Sequence, residues 1–230
     1  MGVVPVGGTM TAWLWLMVLG TAGASPVDRW TLVAHPPAAE DARSAEARAA
    51  GASGDAAVPA CHRVATGLLL CAADRDRPGV IAMRSELAAG GTSLAALIDG
   101  QRNLLEARWA DQPAGAHQVE GMKGRYFVRA AGDGFDAAGV LRPDLLADLA
   151  EGSPVVAIPE DGTLLWWVPG DGDFDKVVAV GVKRMADASS APVSARIYRW
   201  SADTAAWTVW GQVRGTIDLP VPTSPEPTTP

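Results

Sequence analysis

Apolar residues along the chain recur in two rhythms, and the alternation between them sets the expected elements. Residues 63–73, "RVATGLLLCAA", and 79–83, "GVIAM", are apolar runs on either side of "DRDRPG", which predicts a hairpin across that turn. Within 92–110 the rhythm changes. Leu94, Leu97, Ile98, Leu105 and Trp109 share one helical face behind Thr92 or Ser93 as a cap. The segment "RYFVRAA" returns to strand spacing, and 137–151 is helical, with Pro143 restarting the helix and Gly152 ending it. "PVVAI" and "TLLWWV", joined by "PEDG", predict a second hairpin. Phe174, Val177, Val178, Val182 and Met185 give 173–187 an amphipathic helical face. A third hairpin follows from "VSARIYRW" and "AWTVWG" around "SADTA". Hairpins interspersed with helices predict an α+β fold with a largely antiparallel sheet.

Three segments lack such a rhythm. From Met10, "MTAWLWLMVLGTAGASP" packs about a dozen apolar residues and ends in Ala22-Gly23-Ala24 before Ser25, the form of a signal peptide and its cleavage site. Residues 1–24 are therefore expected to direct export to the periplasm or the extracellular side. An uncleaved anchor is the alternative, but the run falls short of the roughly 20 residues that span hydrocarbon. Residues 25–60, rich in Ala, Gly and small polar side chains from about 35 onward, are expected to form a linker, with a transient helix around 38–50. The Pro- and Thr-rich residues 215–230 are expected to be extended and disordered. That leaves 61–214 as the folded domain.

Charge and cysteine content narrow the chemistry. The formal net charge is −7 with no run of Lys or Arg, so nucleic acid is not an expected partner. Cys61 and Cys71 are the two cysteines. If 63–73 is one continuous strand, the two sulfurs stand roughly 33 Å apart, which gives two unpaired thiols; only a bend near Gly67 would let them bond. His62 beside Cys61 does not make a thiolate pair, because neighbours along a strand point to opposite faces. His35 and His117 belong to no catalytic motif.

Two acidic, glycine-rich loops carry the nearest approach to a motif. Gly132, Gly134 and Ala137 match the dinucleotide pattern between a strand and a helix. Asp133 and Asp136 would set negative charge beside the phosphates, so neither nucleotide nor other cofactor is expected. Asp171, Asp173 and Asp175 begin a calcium-loop spacing, but Lys176 and Val182 stand where that loop needs Gly and Glu, and no metal is expected. Asp136 and Asp173 or Asp175 are instead read as helix N-caps. An enzyme built on Asp133, Asp136 and Asp161 would need at least two of them to converge in one concave pocket. Nine tryptophans are present, with Trp166, Trp167, Trp200, Trp207 and Trp210 concentrated toward the C-terminal end. They are candidates for core packing or for an accessible aromatic platform that binds a sugar or peptide.

These residues resemble a family. From about 64 to 210 the chain is similar to the YtpQ-like family of uncharacterised bacterial proteins, a domain of unknown function. The resemblance rests on Tyr126-Phe127-Val128-Arg129, the loop Asp133-Gly134-Phe135-Asp136-Ala137, and Ala157-Ile158-Pro159 followed by Leu164-Leu165. It continues through the helix after Phe174, Pro192-Val193-Ser194 and Ile197-Tyr198, and upstream it includes the helix ending in Asn103-Leu104. Ala138 stands where the family has Ser, and Gly162 where it has Asp, with Asp161 displaced by one. The resemblance implies a fold and no activity. The expectation is thus an exported, non-catalytic domain that engages a protein, peptide or envelope component, with membrane contact only through an uncleaved leader. The alternatives are a hydrolase or metal-assisted enzyme on the three aspartates, and a glycan-binding module.

Overall fold

The computed structural model describes residues 29–77, 79–132, 135–170 and 172–213. The leader, the C-terminal tail, Asp133 and Asp171 lie outside these residues. The fold is α+β, with helices packed around antiparallel sheets.

The first sheet has three strands, β1 (Trp30–His35), β2 (Cys61–Ala65) and β3 (Leu68–Asp74), in the order β1-β3-β2. Every residue of the central β3 is buried. That explains why its sequence is an unbroken apolar run rather than an alternation. Leu68, Leu70 and Ala72 face the main core, whereas Leu69 and Cys71 face outward onto Ala39 and Ile81. Ala39 belongs to helix α1 (Pro37–Ala49).

Three sequence expectations change here. Residues 30–60 are not a linker. Trp30, Leu32 and Ala34 are buried core residues of β1, and α1 is tied down by Arg43 Nε donating to the Ile81 carbonyl (3.0 Å) and Ser44 Oγ to the Ala57 carbonyl (3.0 Å). No side chain of α1 is fully buried, so its Ala-rich sequence has no apolar stripe to betray it; a proline at its start and high helix propensity form it. The hairpin closes elsewhere than expected. The chain reverses at Thr66 and Gly67, where Gly67 has φ +86°, and 79–83 forms no strand of the sheet, pairing by an isolated bridge of Ile81 to Ala73 and another of Met83 to Pro59. This reversal sets Cys61 opposite Cys71, and the two form a disulfide. The bend near Gly67, named as the one route to a bond, is therefore present, and the expectation of two unpaired thiols is corrected.

Beyond β3 come helix α2 (Arg84–Ala89) and helix α3 (Leu94–Asp111). Ser93 caps α3 by accepting the Ala96 N–H at 3.2 Å, and Leu97, Ile98, Leu105 and Trp109 line its buried face as the spacing predicts. The second sheet has six strands in the order β4-β5-β7-β6-β8-β9, all neighbours antiparallel. These are β4 (Gly115–His117), β5 (Tyr126–Arg129), β6 (Val155–Ala157), β7 (Leu164–Trp167), β8 (Arg196–Ser201) and β9 (Ala206–Gln212). Between β5 and β6 lie a 3-10 turn (Ala137–Leu141) and helix α4 (Pro143–Ala150), which ends with Glu151, not Gly152, in the left-handed conformation at φ 58°. Helix α5 (Gly172–Ala188) follows β7.

The two faces of this sheet serve two cores. Phe127, Leu164, Trp166, Tyr198 and Trp207 join α3, α4, β1 and β3 in the main core. Val155, Ala157, Leu165, Trp167 and Ile197 pack against Phe174, Val178 and Val182 of α5. Gly139 lies where the 3-10 turn presses closest on the main core. A Cβ there would approach Trp109 at 2.5 Å and Leu164 at 2.6 Å. Gly139→Ala is therefore expected to destabilise the fold by about 2 kcal/mol through overpacking, read as a lower urea midpoint at unchanged m-value.

Candidate functional site

The acidic loop after β5 is built around an ion pair. Arg129, the last residue of β5, is 2% exposed, as is Asp136. Arg129 Nε lies 3.1 Å from Asp136 Oδ1. A second guanidinium nitrogen, Nη1, donates to the Gln112 carbonyl at the end of α3, and the group sits over the Trp109 ring at 5.2 Å. Asp136 also accepts the backbone N–H groups of Ala131 (Oδ1, 3.1 Å) and Gly132 (Oδ2, 2.9 Å). Its carboxylate thus points back into the loop and makes no cap bond to the 3-10 turn that follows.

That finding corrects the reading of Asp136 as an N-cap. The carboxylate does satisfy amide donors, but those of the preceding loop, because Arg129 draws it inward rather than toward the turn. It also bears on the glycine pattern. The Ala131 and Gly132 amides, which would have to face a pyrophosphate, are taken by Asp136. In the second loop Asp173 pairs with Lys176 at 2.9 Å, and Asp175 accepts the buried Trp167 indole N–H at 2.9 Å. Both lie in the first turn of α5, where negative charge complements the helix dipole, but Asp175 serves a tryptophan and not the helix backbone. No group of three or more His, Cys, Asp or Glu side chains suited to a metal occurs among the described residues.

Of the three candidate catalytic aspartates, Asp136 and Asp161 line one cleft of about 190 Å³ with Thr31, Leu32, Val33, Gly132, Ala137 and Gly162. Asp133 is outside the described residues. The convergence is asymmetric: Asp161 is exposed, whereas Asp136 is buried with both oxygens in hydrogen bonds.

The tryptophans do not form one platform. Trp166 and Trp167, successive on β7, are both 0% exposed and enter opposite cores. Trp166 stacks between Trp109 and Phe127 at 5.6 and 5.2 Å, and Trp207 donates its indole N–H to the Val140 carbonyl at 2.9 Å. Trp210 is partly exposed beside Arg199, with its edge toward Trp167. Trp200 is half-buried and meets Trp207 edge-on at 5.4 Å.

Trp200 and Trp207 instead help to line a cavity that the sequence did not signal. It opens where β2, an edge of the first sheet, approaches β9, an edge of the second, and measures about 240 Å³. His62, Arg63 and Val64 of β2, Arg102 of α3, Val140, Leu141 and Pro143, and Ala205 and Ala206 complete it. Arg102 is fixed by Nε donating to the Leu141 carbonyl (3.3 Å) and Nη1 to Asp99 (3.3 Å). His62 is exposed on β2; the partial desolvation it does undergo, and secondly the nearby Arg102 charge, lower its pKa from 6.5 and favour the neutral ring. His62 stood out in the sequence only for its neighbour Cys61, which is oxidised in the disulfide. Arg102 gave no signal, because it lies on the polar side of a helix, and its meeting with β2 depends on the reversal at Gly67.

Compared with protein-family models, curated proteins and solved structures, the chain matches none.

Removing one partner of the Arg129–Asp136 pair strands a buried charge. Arg129→Met and Asp136→Asn are each expected to lower unfolding free energy by about 3 to 5 kcal/mol, and the double variant by clearly less than the sum of the two. Urea unfolding of the three variants measures this coupling.

Proposed function

We propose that the chain is an exported, non-catalytic binding domain. The disulfide between Cys61 and Cys71 carries the export half of this reading, because such a pair persists in oxidising compartments, and it agrees with the form of residues 1–24. Among the described residues no helix is long and apolar enough to cross a membrane. The binding half rests on how side chains are used. Asp136, the buried one of the two described candidate acids, is committed to Arg129 and to two loop amides, while the cavity between the sheet edges keeps polar groups available. The resemblance of 64–210 to the YtpQ-like family belongs to the same proposal and adds no activity to it. The partner is a protein, peptide or envelope component.

One observation favours the enzyme alternative, namely that Asp136 and Asp161 share a cleft. Its chemistry would fall to Asp161 as the accessible carboxylate.

Expression of the full chain in a bacterium, followed by fractionation and intact-mass measurement, tests the export reading. The expected product lies outside the cytoplasm, lacks the residues up to Ala24 and gives no thiol titre when denatured. A full-length cytoplasmic product with two titratable thiols would overturn it. A panel of chromogenic esters, phosphates and glycosides tests the rest: no turnover above buffer is expected, and turnover abolished by Asp161→Asn would establish the hydrolase instead.

A further inference from the structure

We propose that the cavity between β2 and β9 binds a small organic anion, a carboxylate or phosphate group carried on a planar apolar ring. This rests on the binding-domain reading and gives that domain a ligand class.

The cavity's charge is opposite in sign to that of the chain around it. The net charge is −7, yet the residues lining this cavity include His62, Arg63 and Arg102 and no Asp or Glu. Arg63 and Arg102 bring two positive charges to one hollow, Arg102 sharing its own with Asp99, and an anion set between them is attracted by both.

The donors are also unspent. Arg63 makes no hydrogen bond or ion pair among the described residues, nor does the His62 ring make a hydrogen bond. Arg102 uses Nε and Nη1 on Leu141 and Asp99, which leaves Nη2 without a described partner on a guanidinium already held in place. Little side-chain freedom remains to be lost when that group takes a ligand, and a planar guanidinium fork suits carboxylate and phosphate oxygens.

The other wall selects the body of the ligand. Val64, Val140, Leu141, Pro143, Trp200 and Trp207 give apolar and aromatic surface. Trp207 is anchored by its N–H to Val140, so its ring is a fixed wall, and Trp200 is half-buried against it. A volume of about 240 Å³ is below that of a drug-sized site and admits about one ring with its anionic group.

The experiment titrates benzoate, phenyl phosphate and neutral benzamide into the full-length protein, following the His62 ring resonances by NMR and the heat by calorimetry. The expected result is saturable movement of His62 with one or both anions and none with benzamide. Arg102→Gln should weaken binding about tenfold, as for a lost hydrogen bond to a charged group. Arg63→Gln, on an exposed side chain with no described partner, leaves the fold intact and should weaken it about threefold. The assignment is overturned if neither anion moves His62 up to about 10 mM, a weaker affinity than a built site gives. It is equally overturned if benzamide titrates as benzoate does, or if both variants bind as wild type. In each of those cases a product that is exported with its disulfide closed and turns over none of the chromogenic substrates leaves the exported, non-catalytic reading standing and removes only the ligand class. Failure of export would leave the titration result untouched.

Discussion

The buried pairing of Arg129 with Asp136 holds the middle of this protein together. A guanidinium taken out of water is costly, and it is tolerated here because nearly every direction around it is met. Asp136 lies on one edge, the Gln112 carbonyl on another, and the Trp109 ring across its face. Those three partners come from the loop after β5, the end of α3 and the α3 face that enters the main core. One cation thereby ties together a helix end, a strand end and a loop whose apolar anchor is the buried Phe135. The stacked rings of Trp109, Trp166 and Phe127 continue the same layer into the second sheet.

The second organising feature is the reversal at Thr66 and Gly67. It turns what reads as one long apolar strand into two paired strands, brings the cysteines together and leaves β2 as an edge. Arg196 of β8 donates to the Thr66 carbonyl at 3.0 Å, so the tip of this hairpin is fastened to the second sheet. Those contacts position β2 beside β9 and create the cavity between the sheet edges. The disulfide and the cavity are consequences of one turn.

Local pattern was a good guide wherever a segment's periodicity matched its burial. The α3 face from Leu97 to Trp109, the β6–β7 and β8–β9 hairpins and the α5 face at Phe174, Val178 and Val182 all belong to this kind. It fell short at α1, a helix that buries no side chain and was expected only as a transient one, and where a strand was buried on both faces, as in β3. An apolar run with no alternation does not reveal where it ends, and Gly67 alone inside such a run reads equally as strand or turn. The same limit applied to side-chain chemistry. Asp136, two residues after a glycine and just before a helical segment, has the form of a cap, and nothing local indicates that a buried arginine lies behind it.

The sequence by itself determined the fold class, the helical and strand character of most segments and the export-like form of the N-terminal residues, because these depend on composition and on periodicities of a few residues. Only the tertiary structure decided which cysteine faced which, whether adjacent tryptophans were accessible, where each aspartate spent its oxygens and which cations shared a cavity. Those outcomes depend on which residues far apart in the chain come together, such as Arg196 bonded to Thr66 and His62 lining one cavity with Arg102, and such meetings follow from packing rather than from spacing.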